Sequence, residues 1–505
     1  MSPEAIADVL DAVAAEAPDR IAVSGPSYHL PFVELSYSTL VARARNLGRQ
    51  FLALGLRRGD RVATWLTDSV EYVEAYVACA FAGLVVVPVN ERFTEHEARH
   101  ILADSGAKLL LCDAATRDRA LIFDQCVRVL SVALFDEVVA AADETVALGD
   151  RSPDEPFVLG YTSGTTGPPK GAILTQGSVA AIARMNAESY HLPEASVAIM
   201  TGSMSFVAVV PAHVMTTFFV GGTVRLLGPW NVPSMIDAVE RWQGNFVYVP
   251  SPLIEEFATA FEATPCGRWS SLTTVLHSAS KVSADRLERL ASVVGGRLVE
   301  GWGLTENSGG LVTATTPDDA RPGSGRLATC GRAAPGVRVR LLDDAGMEAP
   351  HDGKTVGELA FHSPALLTAY WNRDEPARDQ EGWFRSGDLG TIDADGYVSL
   401  VERRVDLIVS GGMNVYPFEV EQVLVDHPDV LQACVVGVEH ERWGQSVAAA
   451  VVRRTGSTVG TEELLEHCRT RLASYKKPTR IEFFESLPTT TSHKVARHAV
   501  RVLMS

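Results

Sequence analysis

The sequence predicts an α/β protein: a large N-terminal domain of layered α/β subdomains plus a β-rich subdomain, followed by a small α+β C-terminal domain. Three observations lead there. Helical apolar patterns alternate with short β-branched strands early in the chain, turn-punctuated strands crowd residues 327–397, and a charged, non-periodic segment follows Leu400. Leu40, Ala44, Leu47, Phe51 and Leu54 recur at helical spacing, with Gly55 as a stop, and Arg61–Trp65 reads as a buried strand. A helix over 70–81 precedes the run Val85-Val86-Val87, and a helix over 95–103 precedes a strand over 108–112. Helices between short strands imply parallel pairing in layers. Within the β-rich stretch, 337–341 and 357–361 are strands separated by Gly, Pro and Asp. After the charged segment come a helix over 418–425, strands near 434–438 and 447–452, and a helix near 462–472. The expected division is 1–401, a boundary segment at 402–406, and a small domain at 407–505.

With 505 residues, 46% of them hydrophobic, the chain is long enough for more than one core. Its net charge of −17 is spread evenly, and no Lys/Arg-rich stretch offers a footprint for nucleic acid. Local backbone donors can still bind an anionic cofactor against that field. Cysteines stand far apart at 79, 112, 126, 266, 330, 434 and 468, without a CxxC pair. That pattern fits neither a disulfide framework nor a zinc site; buried thiols in a reducing compartment are expected. Residues 2–20 alternate Ala and Val with Asp and Glu, unlike a signal peptide, and no apolar run reaches the roughly 18 residues of a membrane span. A soluble, cytoplasmic protein is the expectation, with its oligomeric state unreadable.

The most informative string is Tyr161-Thr162-Ser163-Gly164-Thr165-Thr166-Gly167-Pro168-Pro169-Lys170-Gly171. Glycines let backbone approach a ligand, hydroxyls and N–H groups can wrap phosphate oxygens, and one lysine supplies charge. Neither a Walker A loop nor a nucleophile elbow fits, because the Gly-to-Lys spacing is wrong and no Gly stands two places before Ser163.

This string resembles the phosphate-binding signature of the AMP-forming acyl-CoA synthetases, the adenylate-forming superfamily that includes peptide-synthetase adenylation domains and firefly luciferase. Further blocks match in order: Gly301-Trp302-Gly303-Leu304-Thr305-Glu306, Arg385-Ser386-Gly387-Asp388, 403–421 with Gly411-Gly412, and 488–497. The resemblance implies a carboxylic acid, ATP, Mg²⁺ and coenzyme A as reactants and cofactors, nearest in pattern to aryl- or short/medium-chain acid–CoA ligases. It places Thr162 to Gly167 and Lys170 over the ATP phosphates, Ser278-Ala279-Ser280 on the adenine side, and Gly301, Trp302 and Gly303 among the ATP/AMP-binding residues. Thr305 falls at the α-phosphate, Glu306 on Mg²⁺, Asp388 at the ribose hydroxyls, and Arg403 at the ribose or phosphates. Lys494 becomes the lysine that stabilises charge in adenylation. The acyl pocket would take Ser205, Phe206, Ser278, Trp302 and Ser308, and the CoA site Gly411, Gly412, Trp443 and Lys477.

Taken singly, an Asp after Gly is a turn residue, a C-terminal Lys is solvated surface, and Trp443 is packing; their order as a set carries the functional reading. The chain also departs from the family. His493 stands where Gly usually precedes the lysine, Val405 where the hinge often has Asp or Lys, and Ser205 where many relatives carry His. Ser278 and Trp302 add bulk, so a compact pocket for an aryl or short-to-medium acid is expected. These departures leave an amine or a carrier-protein thiol open as acceptor, and an inactive nucleotide sensor as a third reading.

Overall fold

Each element expected in the first part of the chain forms close to its expected bounds. The helix Tyr37–Ala53 starts where the Ser36 side chain accepts from Thr39 N–H, and Gly55 (φ +97°) follows it. Strand Arg61–Trp65 leads to helix Val70–Ala82, capped by Ser69 and closed by Gly83 in the left-handed region at φ +64°. Every residue of that helix is buried, so it packs on all sides. Strand Val85–Pro88, helix Glu95–Ser105 and strand Leu109–Cys112 complete the alternation. The computed structural model describes residues 4–162, 169–228, 231–250, 253–278, 284–343, 345–403, 408–415, 417–488, 495 and 497–505.

Four sheets organise these residues. A six-stranded sheet runs Arg128–Ser131, Leu109–Cys112, Arg61–Trp65, Val85–Pro88, Pro156–Thr162, Lys170–Thr175, and its first four strands pair in parallel. A nine-stranded sheet has at its centre Leu298–Gly303, Thr274–His277, Phe246–Tyr248, Val197–Met200 and Thr223–Leu226, all parallel. The β-rich stretch forms a four-stranded sheet, Arg338–Leu342, Gly357–His362, Phe384–Ile392 and Val398–Arg403. The last sheet joins Met413–Val415, Ile408–Ser410, Gly444–Arg453 and Val430–His440, with Arg480–Phe484 parallel to Gly444–Arg453. The protein is therefore α/β with a smaller α+β part.

The chain forms two compact units. The larger holds Met1–Glu91, Leu102–Tyr161 and Gly171–Val401; the smaller holds Arg92–Ile101, Thr162–Lys170 and Glu402–Ser505. Two stretches from early in the chain thus group with the C-terminal residues. In the smaller unit Lys476 is 5% exposed, with its ammonium 3.1 Å from Glu97 Oε1 and 2.7 Å from Glu419 Oε1, over the Phe93 ring. Burial alone would lower its pKa, but Glu419, Tyr475 and Glu97 outweigh burial and raise it. Its two carboxylate partners make Lys476 a buried tie within this unit.

Among the described cysteines, Cys79, Cys112, Cys434 and Cys468 are buried thiols, whereas Cys126 is exposed and Cys330 half-buried, so burial does not extend to all of them. No helix is long and apolar enough to cross a membrane among the described residues.

In the larger unit, His213 lies within a π-helical segment, Ala208–Val214, with its ring tilted against Tyr190, Phe246 and Tyr248. Its Nδ1 lies 3.2 Å from the Tyr190 hydroxyl. Burial depresses its pKa to about 4 from an ordinary value of 6.5. A depressed pKa means that folding favours the neutral ring. The stability it contributes is complete above about pH 6.5 and lost as pH falls through about 4, by about 3 kcal/mol in all. Chemical denaturation across pH 4–7 should therefore show a flatter curve for His213→Gln than for the wild type.

Candidate active site

The central parallel strands of the nine-stranded sheet set the site. In such sheets the loops at the carboxyl ends of the strands collect on one edge, where ligands bind. Val197–Met200 delivers residues 201–206 there, Thr274–His277 delivers Ser278, and Leu298–Gly303 delivers Thr305 and Glu306. Three of the blocks singled out from sequence therefore reach a common edge.

At that edge the backbone is tightly held. Strand Leu298–Gly303 turns back antiparallel into Leu311–Ala314, and a Cβ at Gly303 would stand 2.4 Å from Gly310 O, so only glycine fits. Thr305–Asn307 is a single 3₁₀ turn. The Glu306 carboxylate accepts from the Tyr370 hydroxyl at 2.8 Å, and the Glu306 carbonyl accepts from Leu367 N–H at 2.8 Å. A Cβ at Gly160 would lie 3.1 Å from the Thr305 methyl and 2.7 Å from Val207, which brings Val207 close to the Thr305 turn.

Trp302 and Asp388 meet directly. The indole N–H donates to Asp388 Oδ2 at 2.9 Å, and both side chains are nearly buried. Asp388 N–H is received by Ser386 Oγ at 3.0 Å, whose own proton goes to Leu359 O at 2.6 Å. Ser278 O accepts from the Tyr248 hydroxyl at 3.3 Å. Just behind it the buried His277 ring is hydrogen-bonded to the Glu300 carboxylate, whose pKa burial raises despite that histidine.

The remaining expected residues differ in burial and are spread over both units. Ser308 is fully buried at φ +52°, and its hydroxyl donates to Ala365 O at 2.8 Å, so it braces its own loop. Phe206 is 39% exposed, whereas Ser205 is buried. In the smaller unit, Gly411 (φ +60°) donates its N–H to Trp443 O, and a Cβ there would stand 2.6 Å from the indole. Gly412 follows at φ +78°, Trp443 is 39% exposed, and Lys477 is half-buried. Thr162 and Lys170 end the strands Pro156–Thr162 and Lys170–Thr175. Arg403 closes the strand Val398–Arg403, with its side chain outside the described part. Ser163, Gly164, Thr165, Thr166, Gly167, Ala279, Ser280, Val405, His493 and Lys494 lie outside the described residues.

Tyr370, Tyr248, Glu91 and Ser203 were not singled out from sequence. Nothing local marks the tyrosines, because each reaches its partner across tens of residues.

Residues 10–371 match the family model described as AMP-binding enzyme, and residues 419–494 match the AMP-binding enzyme C-terminal domain. The chain belongs to the AMP-binding enzyme family. A feruloyl-CoA synthase of Amycolatopsis sp is 35% identical over 482 residues, covering 92% of this chain and 93% of its own. Among solved structures, o-succinylbenzoate CoA synthetase (MenE) of Bacillus subtilis, a double mutant bound with a product analogue, resembles this AMP-binding enzyme at TM-score 0.88. It shares 27% identity and covers 97% of each chain. The amide bond synthetase McbA of Marinactinospora thermotolerans gives TM-score 0.87 at 28% identity, covering 99% of each chain.

Proposed function

We propose that this protein activates a carboxylic acid with ATP, releasing pyrophosphate, and then transfers the acyl group from AMP to coenzyme A. The observation that carries this reading is the meeting of the 201–206, Ser278 and Thr305–Glu306 segments on one sheet edge, with Trp302 joined to Asp388. In the first step a carboxylate oxygen bonds to the α-phosphorus as the bond to pyrophosphate breaks. Two anions must approach, so catalysis rests on positioning and charge neutralisation. Thr305 receives the α-phosphate, Asp388 accepts from the ribose hydroxyls, and Ser278 to Ser280 with Trp302 flank the base. Residues 162–167 and Lys170 serve the phosphates, Arg403 the ribose or phosphates, and Lys494 stabilises the charge that develops.

Mg²⁺ suits this donor set, because that ion binds one or two carboxylates plus substrate phosphates. Glu306, oriented by Tyr370, would hold it, and the ion would supply charge neutralisation between phosphate oxygens. In the second step residues 407–505 act as a mobile domain about a hinge at 402–406. Gly411, Gly412, Trp443 and Lys477 then meet coenzyme A. The left-handed backbone of the glycine pair, pressed against Trp443, supports a close fit to a narrow ligand.

Transfer to an amine is the second reading, favoured by the likeness to McbA. Pyrophosphate release across aryl, short and medium acids tests the first step, and aryl or short acids should outperform palmitate. Coenzyme A, a carrier protein and simple amines, each added to the best acid, then decide the acceptor. Release with palmitate alone would overturn the compact-pocket assignment.

A further inference from the structure

A chain of hydroxyls leads from the Thr305 edge to a carboxylate. Ser203 Oγ donates to Glu91 Oε2 at 2.6 Å, and Ser203 Oγ lies 2.7 Å from Ser205 Oγ. A carboxylate only accepts, so the single proton of Ser203 is committed to Glu91. The contact between the serines must then be donated by Ser205. Its oxygen is left with lone pairs and no proton to offer. Ser205 thus presents a pure acceptor, wired through two hydroxyls to an acid group, two residues before the Val207 that adjoins Thr305.

The loop is built to hold this line. Met204 N–H donates to Asp68 Oδ1 at 2.7 Å, and Arg119 donates to the Glu91 carbonyl at 3.0 Å. Tyr72 also faces this cluster; burial raises its pKa, and Asp68 and Glu91 add to the shift after Thr64 lowers it. Asp68, Arg119 and Tyr72 are therefore among the charged or titratable groups around Glu91.

We propose that Glu91, acting through Ser203 and Ser205, takes the proton of the acceptor thiol as it attacks the acyl-adenylate. This rests on the adenylation reading above. The S–C bond forms while the bond from the acyl carbon to the AMP oxygen breaks, and AMP leaves with that electron pair. The thiol proton passes to Ser205 Oγ, the Ser205 proton to Ser203, and the Ser203 proton to Glu91, which returns it to water. Ser205 is the catalytic residue in this step; Ser203 and Glu91 are positioning residues.

The test separates the half-reactions by rapid quench. With acid and ATP alone, Glu91→Gln should give a wild-type pyrophosphate burst. On adding coenzyme A at neutral pH, its thioester formation should be about 100-fold slower, the lower range of general-base effects. That rate should then climb about tenfold per pH unit toward the pKa of the thiol, because only thiolate from solution can react. Ser203→Ala should behave alike, and Ser203→Thr, which keeps a hydroxyl, should restore transfer. Thioester formation at the wild-type rate in Glu91→Gln overturns the relay. So does an equal loss of burst and transfer with an unchanged pH profile, which marks a structural role. A wild type without any burst overturns the adenylation reading, and the relay with it.

Discussion

Lys476→Met destabilises the smaller unit by about 3 kcal/mol, at the low end of the roughly 3–5 kcal/mol that follows when one partner of a buried ion pair is removed. The reason lies in what stays behind. Side chains of Glu97 and Glu419 are 5% and 19% exposed, and without the ammonium two carboxylates face each other out of water. Glu97 cannot simply turn away. Its other oxygen accepts from Thr94 N–H at 2.8 Å and from the Thr94 hydroxyl at 3.0 Å, holding the start of helix Glu95–Ser105. Hydrogen exchange of helix Pro417–Val425 should accelerate in the variant by about 100-fold, matching 3 kcal/mol at 1.4 kcal/mol per decade. Replacing Glu97 and Glu419 by Gln alongside Lys476→Met should recover most of the loss, since neutral amides remove the repulsion. Unchanged exchange in the single variant would contradict the assignment of Lys476 as a buried tie.

Lys494→Ala lowers acid-dependent pyrophosphate release by about 10²–10³-fold, the range seen when one charge-stabilising donor is removed from a reacting centre. ATP affinity should change far less, because the lysine acts mainly where charge develops as the two anions meet. The result also decides whether His493, with its side chain in place of hydrogen, still lets this segment reach the α-phosphate. Release that survives the substitution moves the catalytic lysine elsewhere. Lys476 is then excluded by its carboxylates, so Lys477→Ala becomes the next variant to assay.

What the sequence made legible follows the range of the interactions. Helix Val70–Ala82 could be read because Ser69 and Gly83 bracket an unbroken apolar run, all of it local information. The glycine-rich string and the Thr305-Glu306 block could be read because their order along the chain is itself the signal. The central strand Phe246–Tyr248 has three residues and no alternation, so nothing local announces the sheet that it stabilises between Val197–Met200 and Thr274–His277. The Trp302–Asp388 bond spans 86 residues, and the Glu91–Ser203 bond 112, so neither has a periodic signature. Nothing local marks Lys476 as buried, because the nearer of its two carboxylate partners is 57 residues away in sequence. Burial of a charge is decided by distant partners.

The composition of the smaller unit also has a consequence during translation. Glu97 leaves the ribosome 379 residues before the lysine that neutralises it, which at 5–20 residues per second is a delay of about 20–80 s. Throughout that interval Arg92–Ile101 has no completed unit to join, while the larger unit finishes earlier, at Val401. A nascent polypeptide stalled before Lys476 would carry Glu97 without the ammonium that neutralises it, a carboxylate that resists burial and keeps the chain distinguishable from the finished protein.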